Sequence, residues 1–301
     1  LVTVQRMAAT FSKTKRILKE FQPDVIVGTG GYASFPALKM GAKLGIPTCV
    51  HESNAVPGLT TKLVARTASR VMVSFESSRE HYPEPEKVLL TGTPVREEFL
   101  FAKRQEARLA LGLGDEPLVV SCWGSLGARE MNKKIAQFMK CECEDNTPFH
   151  HIHATGSFGW RWMPQYVKDL GLDLAKYPAI DMREYIFNMP TAMAAADLII
   201  CRAGAATISE VCASALPCIM VPSPNVTNNH QEKNAMILQG RGAAVVVPEA
   251  GCSGKLLFDT AREILADTER TKSMRQAASS LAVVDSAQRI YETALELMQS
   301  R

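Results

Sequence analysis

The chain has 301 residues, of which 46% are hydrophobic and 22% charged, and its formal net charge is +3. That length supplies enough apolar residues for two domains, and so small a charge argues against nucleic acid as a partner. No apolar run reaches the ~20 residues that a transmembrane helix needs, and no signal peptide is recognised, so we expect a soluble protein that can still rest on a membrane surface.

The first segment, residues 2–21, has apolar residues at helical spacing and five Lys or Arg on the remaining face, which predicts an amphipathic helix. A surface helix that covers a sheet has the same pattern. Because the chain starts at Leu1 inside this helix, we expect that a preceding segment is missing.

Strand-like and helix-like runs alternate along the rest of the first third. The strands are predicted at 24–28, 46–50, 71–75 and 88–90, and the helices at 35–44 and 59–70. This alternation predicts a parallel sheet with helical crossovers, which is the pattern of a Rossmann-like domain.

The same pattern starts again after residue 97. Strand-like runs recur at 118–122, 150–154, 179–182, 197–201, 217–221 and 243–247, and residues 272–301 are predicted to be helical. We therefore predict an α/β protein of two Rossmann-like domains, residues 1–97 and 98–282, in which a C-terminal helix at 283–301 completes the first domain.

Each half has a glycine-rich loop directly after a strand, at 29–34 and at 123–129. Such loops let backbone N–H groups approach a diphosphate. Neither loop has the form of a P-loop or a complete G-x-G-x-x-G, which disfavours an NTPase and a standard nicotinamide enzyme. Two nucleotide-type domains about a cleft suit sugar-nucleotide glycosyl transfer, in which one domain holds the nucleoside diphosphate and the other presents the attacking hydroxyl.

The turn at residues 201–210, CRAGAATISE, joins a predicted strand to a predicted helix. The unpaired N–H groups and the dipole at a helix start favour a phosphate without a metal, and Glu210 can accept hydrogen bonds from sugar hydroxyls. An ordinary βα turn is the alternative interpretation.

Other polar residues offer weaker signals. Residues 228–234, NNHQEKN, suit sugar hydroxyls or, alternatively, form a solvated capping loop. His51 and Glu52 are candidates for proton transfer, although adjacent residues of a strand point oppositely, so that only one is expected to face the cleft. His151 and His153 receive no role.

The eight cysteines form no C-x-x-C pair and lie mostly in apolar runs, so buried free thiols in a reducing compartment are expected. Cys141 and Cys143 precede three histidines, but the spacing fits no standard zinc pattern, and no metal site is predicted.

Six motifs resemble, in their order, those of the MurG family of N-acetylglucosaminyltransferases. They are GTGGYASFP at 28–36, HESN at 51–54, GTPVR at 92–96, GSLGA at 124–128, CRAGAATISE at 201–210 and HQEKNA at 230–235. The resemblance covers essentially the whole chain. It implies the GT-B fold and an inverting transfer of N-acetylglucosamine from UDP-N-acetylglucosamine to the C4 hydroxyl of undecaprenyl-pyrophosphoryl-N-acetylmuramoyl-pentapeptide, with neither cofactor nor metal.

For the second domain, the resemblance implies the donor site. Ser125 would contact the diphosphate, and Glu210 the ribose hydroxyls. The backbone at Ile186 would read uracil. The residues that would hold the donor at the helix start are Arg202, Gly204, Ala205 and Thr207, and those that would face the acetylglucosamine hydroxyls are His230 and Gln231.

For the first domain, the resemblance implies the acceptor site. A loop for the acceptor diphosphate would consist of Gly30, Gly31, Tyr32 and Ser34, and the cleft would be lined by His51, Asn54 and Arg96. Residues 1–21 would form an apolar and basic patch on an anionic membrane, which gives a use to the 13 Lys and Arg, against 8 Asp and Glu, in residues 1–97. The expected location is the cytoplasmic face of the bacterial inner membrane, as a peripheral protein, with other cell-wall synthesis proteins as further partners.

The chain departs from the family pattern at three points. The family's first glycine loop, with its histidine for proton transfer, has no counterpart here, so the general base stays unassigned. Trp123 stands where the family usually has Gly, and Leu126 where it usually has Gln. Two other functions remain open: a non-catalytic fragment that binds the sugar nucleotide without turnover, and a GT-B sugar-nucleotide epimerase, which would need no acceptor.

Overall fold

The computed structural model describes residues 2–145 and 149–299, with only the backbone for residues 2–8. The chain divides into two compact units, Leu1–Pro94 with Val283–Arg301, and Val95–Ala282. The first division thus falls at Pro94, three residues before the boundary that the sequence suggests. Each unit is a parallel α/β structure, which confirms the predicted fold class of two Rossmann-like domains.

The ten predicted strands are all present, each within two residues of its predicted ends. They are β1 Ile26–Gly28, β2 Thr48–Glu52, β3 Arg70–Val73, β4 Val88–Leu90, β5 Leu118–Cys122, β6 His150–Ala154, β7 Ile180–Arg183, β8 Leu198–Cys201, β9 Cys218–Met220 and β10 Ala244–Val246.

The helices of the first unit are α1 Val2–Phe21, α2 Gly31–Lys43, α3 Leu59–Ala65 and, at the C-terminal end, α14 Ser286–Gln299. Those of the second unit are α4 Glu97–Phe101, α5 Arg104–Ala110, α6 Arg129–Asp145, α7 Ser157–Trp160, α8 Met163–Asp169, α9 Met189–Ala195, α10 Ala205–Ala213, α11 His230–Gly240, α12 Gly254–Ala266 and α13 Thr268–Ser280. None of the helices in the described ranges is long and apolar enough to cross a bilayer.

In the first unit, the strands lie in the order β1-β2-β3-β4, all parallel. Both faces of this sheet are covered. Val50 and Val71 pack with Leu38 of α2 on one face, while Cys49 and Met72 pack with Leu297 of α14 on the other. Burial on both faces explains why these strands are continuous apolar runs rather than alternating ones.

In the second unit, the strands lie in the order β10-β9-β8-β5-β6-β7, again all parallel. The chain builds the sheet outwards from β5 in one direction through β6 and β7, and then in the other through β8, β9 and β10. The order therefore reverses between β5 and β8, and in open α/β sheets this reversal is the place where ligands bind. The core beneath it contains fully buried side chains of α6, among them Met131, Ile135 and Phe138.

Two helix predictions are wrong at an end, and a third misses a break. The helix predicted at 59–70 ends at Ala65, because Ser69 donates its N–H to the carbonyl of Thr48 and the chain extends into β3. The predicted C-terminal helix at 283–301 is found as α14, but the helical stretch predicted from residue 272 is broken at 281–285, which contains the β-branched pair Val283 and Val284. The helix predicted at 35–44 begins at Gly31, so most of the predicted glycine loop is its first turn.

The N-terminal prediction is confirmed as a helix, since α1 spans Val2–Phe21. Leu1 and the side chains of residues 2–8, which supply part of the predicted apolar and basic pattern, lie outside the described residues. In the described part, Leu18 is buried, whereas Ile17 and Phe21 are exposed.

Candidate functional site

A cavity of about 370 Å³ opens in the second unit at the carboxyl ends of β5 and β8, where the strand order reverses. Cys122 and Cys201, the last residues of these two strands, are register partners at its floor. Residues predicted from the donor motifs line it together: Ser125, Ile186, Arg202, Gly204, Thr207, Glu210 and Gln231. The structure thus brings together side chains that lie up to 106 positions apart in the sequence, from Ser125 to Gln231.

The start of α10 forms one wall of this cavity. Gly204 precedes the helix in an extended conformation, with φ −67° and ψ 143°, and supplies no side chain to cap the first N–H groups. Ala205 is the first helical residue. Because these N–H groups need an acceptor and the helix dipole is positive at this end, the wall is suited to a phosphate.

Arg202 adds a fixed positive charge beside the helix start. Its Nη1 lies 2.6 Å from Oε2 of Glu249 and donates to the carbonyl of Val221 at 3.0 Å. The guanidinium carbon lies 5.7 Å from the centroid of the Trp123 ring, a cation–π distance. The hydrogen bond and ion pair described for this side chain both use Nη1, whereas a guanidinium has five N–H donors, so the remaining donors can serve a ligand anion.

Glu210 lies two turns along α10 and also lines the cavity. Burial raises the pKa of its carboxyl group, and the positive charge of Arg96 offsets part of that rise. Arg96 belongs to the second unit and lines this same cavity, with its guanidinium over the Phe99 ring. The assignment of Arg96 to the acceptor side is therefore revised: the chain passes into the second unit at Val95, and Arg96 stands beside Glu210.

The opposite end of the cavity is apolar. Ile186 is only 3% exposed, and Met189 and Met193 of α9 line the wall behind it. Tyr185 and Phe187, on either side of Ile186, are exposed aromatic residues with ring centroids 5.2 Å apart. An apolar wall with exposed aromatic rings beside it suits a nucleobase, and this aromatic pair is the signal in the sequence that points to it.

The polar segment at 228–234 is predicted to be a loop, but most of it is the start of α11, which begins at His230. The chain turns into that helix through Asn228 and Asn229, both with positive φ, a conformation that Asn tolerates better than most residues. Gln231 lines the cavity and accepts the N–H of Ser223 at 2.9 Å. His230 donates from Nδ1 to the carbonyl of Thr227 at 3.0 Å, which leaves Nε2 as the group that can meet a ligand.

The glycine loop after β5 carries the two departures from the family pattern. Trp123 turns inward and is only 5% exposed, with its ring beneath Arg202. Leu126 turns outward and is 57% exposed. In the same loop Gly124 and Gly127 have positive φ values of 82° and 77°, which places Ser125 at the exposed tip of a tight turn.

In the first unit, the predicted acceptor loop is the start of α2. Gly30 precedes the helix with φ 78°, and Ser34 donates its hydroxyl to the carbonyl of Gly30 at 2.8 Å. Tyr32 is 90% exposed. Only Gly30 therefore belongs to a loop, and the other predicted residues, Gly31, Tyr32 and Ser34, form a first helical turn whose N–H groups have no side-chain cap from Gly30.

His51 and Glu52 end β2, and both are buried. Nε2 of His51 donates to the carbonyl of Gly92 at 2.7 Å, and burial lowers the pKa of the imidazole. A neutral ring with its proton on Nε2 has an acceptor at Nδ1. His51 therefore keeps a proton acceptor and remains a candidate for proton transfer.

The carboxylate of Glu52 has local structural partners. It accepts the backbone N–H groups of Asn54 at 3.1 Å and Gly58 at 3.0 Å, and the Asn54 side-chain amide at 3.2 Å. These bonds hold the loop between β2 and α3, so Glu52 orders this loop, and its candidacy for catalysis is weaker than that of His51.

Among the residues that the structure describes, no group of three or more His, Cys, Asp or Glu side chains could hold a metal ion. Cys141 and Cys143 lie half-buried on α6, and burial raises the pKa of both thiols. His151 and His153 are completely buried in the second unit. The prediction that no metal or cofactor is required stays a prediction.

Comparisons with known proteins cover both units. The model of the glycosyltransferase family 28 N-terminal domain matches residues 1–73, and that of the family 28 C-terminal domain matches residues 118–290. A UDP-N-acetylglucosamine–N-acetylmuramyl-(pentapeptide) pyrophosphoryl-undecaprenol N-acetylglucosamine transferase of Acetivibrio thermocellus is 38% identical over 302 aligned positions, which cover 100% of this chain and 80% of that protein.

Solved structures show the same architecture. The crystal structure of Acinetobacter baumannii MurG has a TM-score of 0.79 and 28% identity, and the match covers 98% of this chain and 80% of that one. This likeness confirms the predicted GT-B class. A UDP-GlcNAc 2-epimerase from Neisseria meningitidis, bound to UDP-GlcNAc, has a TM-score of 0.65 at 15% identity, covering 95% of this chain and 80% of that one, which shows a shared fold alone.

Proposed function

This chain belongs to glycosyltransferase family 28 and, within it, to the UDP-N-acetylglucosamine–N-acetylmuramyl-(pentapeptide) pyrophosphoryl-undecaprenol N-acetylglucosamine transferases, and on that premise we propose its reaction. It transfers N-acetylglucosamine from UDP-N-acetylglucosamine to the lipid-linked N-acetylmuramoyl-pentapeptide, which converts lipid I to lipid II in peptidoglycan synthesis. The observation that carries the proposal is the cavity at the strand reversal of the second unit, where Arg202, the start of α10 and Glu210 meet.

The donor fits this cavity by its chemistry. The apolar slot at Ile186 takes uracil, the carboxylate of Glu210 accepts the ribose hydroxyls, and the N–H groups at the start of α10 receive the diphosphate. We propose that Gln231, which lines the cavity, and His230, the residue before it on the first turn of α11, meet the acetylglucosamine hydroxyls.

In the reaction, the C4 hydroxyl of the acceptor forms a bond to the anomeric carbon as the bond from that carbon to the diphosphate oxygen breaks. Negative charge develops on the departing UDP, and Arg202 and the α10 dipole lie where that charge is stabilised. These groups supply positive charge without a metal, which is the basis for proposing that no cofactor is required. The hydroxyl proton must leave to a base, for which His51 is the candidate in the first unit.

The acceptor side is proposed for the first unit. The start of α2, at Gly30 and Gly31, offers N–H groups to the acceptor diphosphate, and His51 and Asn54 lie at the carboxyl end of β2 in the same unit. Exposed Ile17 and Phe21 on α1, one turn apart, are accompanied by exposed Lys and Arg at 13, 15, 16 and 19. This combination favours an anionic membrane surface, and we place the protein at the cytoplasmic face of the membrane.

The proposal is tested by following radiolabelled N-acetylglucosamine from the UDP donor in the presence of a short-chain lipid I analogue. We expect the label to move to the acceptor and to form a disaccharide through the C4 hydroxyl. If the labelled sugar is instead recovered only as an epimer of N-acetylglucosamine, with or without the acceptor, the protein is an epimerase. Donor binding without transfer by folded protein would identify a non-catalytic sugar-nucleotide-binding protein.

A further inference from the structure

Five polar side chains form a continuous hydrogen-bonded chain within the apolar core of the second unit. Its members are Glu142 and Asn132 on α6, Ser121 on β5, and His151 and His153 on β6, and each is at most 4% exposed. Five buried polar side chains in one core are costly unless they are hydrogen-bonded, and here each has a described partner, with only Oε1 of Glu142 unpaired among their described side-chain polar atoms.

The distances connect these side chains in sequence. Nδ1 of His151 lies 2.9 Å from Oε2 of Glu142, and its Nε2 lies 2.7 Å from Oγ of Ser121. The same Oγ lies 2.7 Å from Nδ1 of His153, whose Nε2 lies 3.3 Å from Oδ1 of Asn132. The last link of this hydrogen-bonded chain is the bond that Nδ2 of Asn132 donates to the backbone carbonyl of Thr155 at 2.7 Å.

One arrangement of protons satisfies the side-chain links from Asn132 to Ser121, although Nδ1 of His153, 3.2 Å from the Ser121 carbonyl, then has no proton to donate to it. The Asn132 amide nitrogen is committed to the Thr155 carbonyl, so its oxygen faces His153 and can only accept. His153 must then donate from Nε2 and accept at Nδ1, which makes Ser121 a donor to His153 and an acceptor from Nε2–H of His151. Nδ1 of His151 then meets Glu142 in one of two ways: a neutral ring accepts from the neutral carboxylic acid, or a charged ring donates to the carboxylate. Burial raises the pKa of Glu142 and lowers that of His153, which agrees with two uncharged groups.

The Asn132 end of this hydrogen-bonded chain holds the backbone at Thr155, just after β6. We call this backbone the Thr155 corner, and the glycine loop at 123–129 packs against it. Gly127 packs its backbone so closely on Thr155 that a Cβ there would overlap the Thr155 carbonyl oxygen. The N–H of Ser157 donates to the carbonyl of Ser125 at 3.1 Å, and so ties the same corner to the tip of the donor loop.

The corner is also tied to the segment that leads to the nucleobase slot. Thr155 donates its N–H to the carbonyl of Arg183 at 2.9 Å, and Gly156 donates to that of Glu184 at 3.0 Å. Ile186 follows two residues later. A single backbone corner therefore sets the position of both the diphosphate loop and the nucleobase wall.

We propose that the hydrogen-bonded chain from Glu142 to Asn132 is a positioning device for the donor site, in which Asn132 fixes the Thr155 corner and thereby the loop at Ser125 and the wall at Ile186. This inference rests on the proposed function, because it assigns the cavity to a uridine nucleotide. None of these five side chains lines the described cavity, so their action on the donor is indirect.

Binding of UDP, measured by calorimetry, tests the proposal without requiring turnover. Asn132→Leu nearly keeps the size of the side chain but has no donor for the Thr155 carbonyl, and we expect it to raise the dissociation constant of UDP roughly tenfold, the effect of losing one buried hydrogen bond. Glu142→Gln can still donate to His151 from its amide, so it is expected to bind UDP as the wild type does. In turnover assays, Asn132→Leu is expected to raise KM for the donor while kcat stays unchanged.

The control is Ile135→Ala, on the same helix and equally buried, which disturbs the core without touching the chain of hydrogen bonds. It is expected to lower the melting temperature but to leave the UDP dissociation constant unchanged. If Asn132→Leu does not fold, His153→Phe, which breaks the preceding link, replaces it with the same expected loss of affinity. Unchanged UDP affinity in a folded variant of either kind overturns the proposal, whereas wild-type protein that fails to bind UDP rejects the proposed function instead.

Discussion

At the scale of single residues, the donor site depends on charges that are held in place by neighbours. Arg202 has three fixed contacts, to Glu249, to the Val221 carbonyl and to the Trp123 ring, so its guanidinium is oriented before any ligand arrives. Preorganised charge of this kind stabilises a departing diphosphate without the cost of reorienting the side chain. Trp123, the unusual residue of the donor loop, thereby acquires a specific contact in this site.

Glu210 gives the first residue-scale prediction. Glu210→Gln keeps the size of the side chain but is a weaker acceptor for ribose hydroxyls, so we expect UDP affinity to fall by about 1–3 kcal/mol while the fold is retained. The loss is expected to be smaller for a 2′,3′-dideoxy analogue of UDP, which has no hydroxyl to lose. Calorimetry with both ligands measures the difference, and Glu263→Gln on the exposed face of α12 is the matched control.

The same carboxyl group predicts a pH dependence. Burial raises its pKa in the folded protein, so the folded state binds its proton more tightly than the unfolded state does. As the pH falls through this raised pKa, the contribution of Glu210 to folding stability becomes more favourable, whereas UDP affinity falls because the protonated carboxyl is a poorer acceptor. UDP affinity that stays flat from neutral pH down to the ordinary pKa of Glu, or that falls equally in Glu210→Gln, would show that the ribose contact is misassigned.

At the scale of elements, each helix start in the two half-sites follows a parallel strand and leaves N–H groups uncapped by the preceding glycine. This is true of α2 after Gly30 and of α10 after Gly204. By contrast, α12 is capped by Ser253, which accepts the N–H of Leu256. Helices such as α3 and α5 also start without a side-chain cap, so it is the place of α2 and α10 within the motifs that fits a role for their N–H groups in binding diphosphates.

The C-terminal helix α14 gives the element-scale prediction. Leu297 is 7% exposed and packs with Cys49 and Met72 on the sheet of the first unit. Leu297→Ala is therefore expected to destabilise that unit by about 2–5 kcal/mol, while UDP binding by the second unit is unaffected. Thermal unfolding measures the first effect and calorimetry the second.

Met298, the next residue of the helix, is 41% exposed, and Met298→Ala is the control for Leu297→Ala. Equal destabilisation by the two substitutions would contradict the packing of α14 against the first sheet.

The sequence predicts the strands well because buried parallel strands are short apolar runs between turns, and all ten are found. It fails where a position depends on contacts distant in the chain. The pairing of Arg202 with Glu249, and that of Asn132 with the Thr155 carbonyl, leave no pattern in the sequence. The place of Arg96 beside Glu210 was missed because a motif shows which residues occur together in a family but not in which unit they lie.

At the scale of the whole molecule, the chain has two parallel α/β units, and each has a helix that starts after a glycine, where we propose that a diphosphate binds. One such site suffices for a protein that only binds or isomerises a sugar nucleotide. Two sites are what a transferase requires when both its donor and its acceptor carry a diphosphate. We therefore claim that turnover needs both the UDP-sugar donor and the lipid-linked acceptor.

The rate of UDP release at a saturating concentration of UDP-N-acetylglucosamine, measured while a short-chain lipid I analogue is titrated in, tests that claim most directly. We predict that release is negligible without the analogue, rises with its concentration to a plateau, and is lost when Arg202 is replaced by Ala. UDP release that is independent of the analogue, or the absence of release by folded protein that binds the donor, would contradict the account.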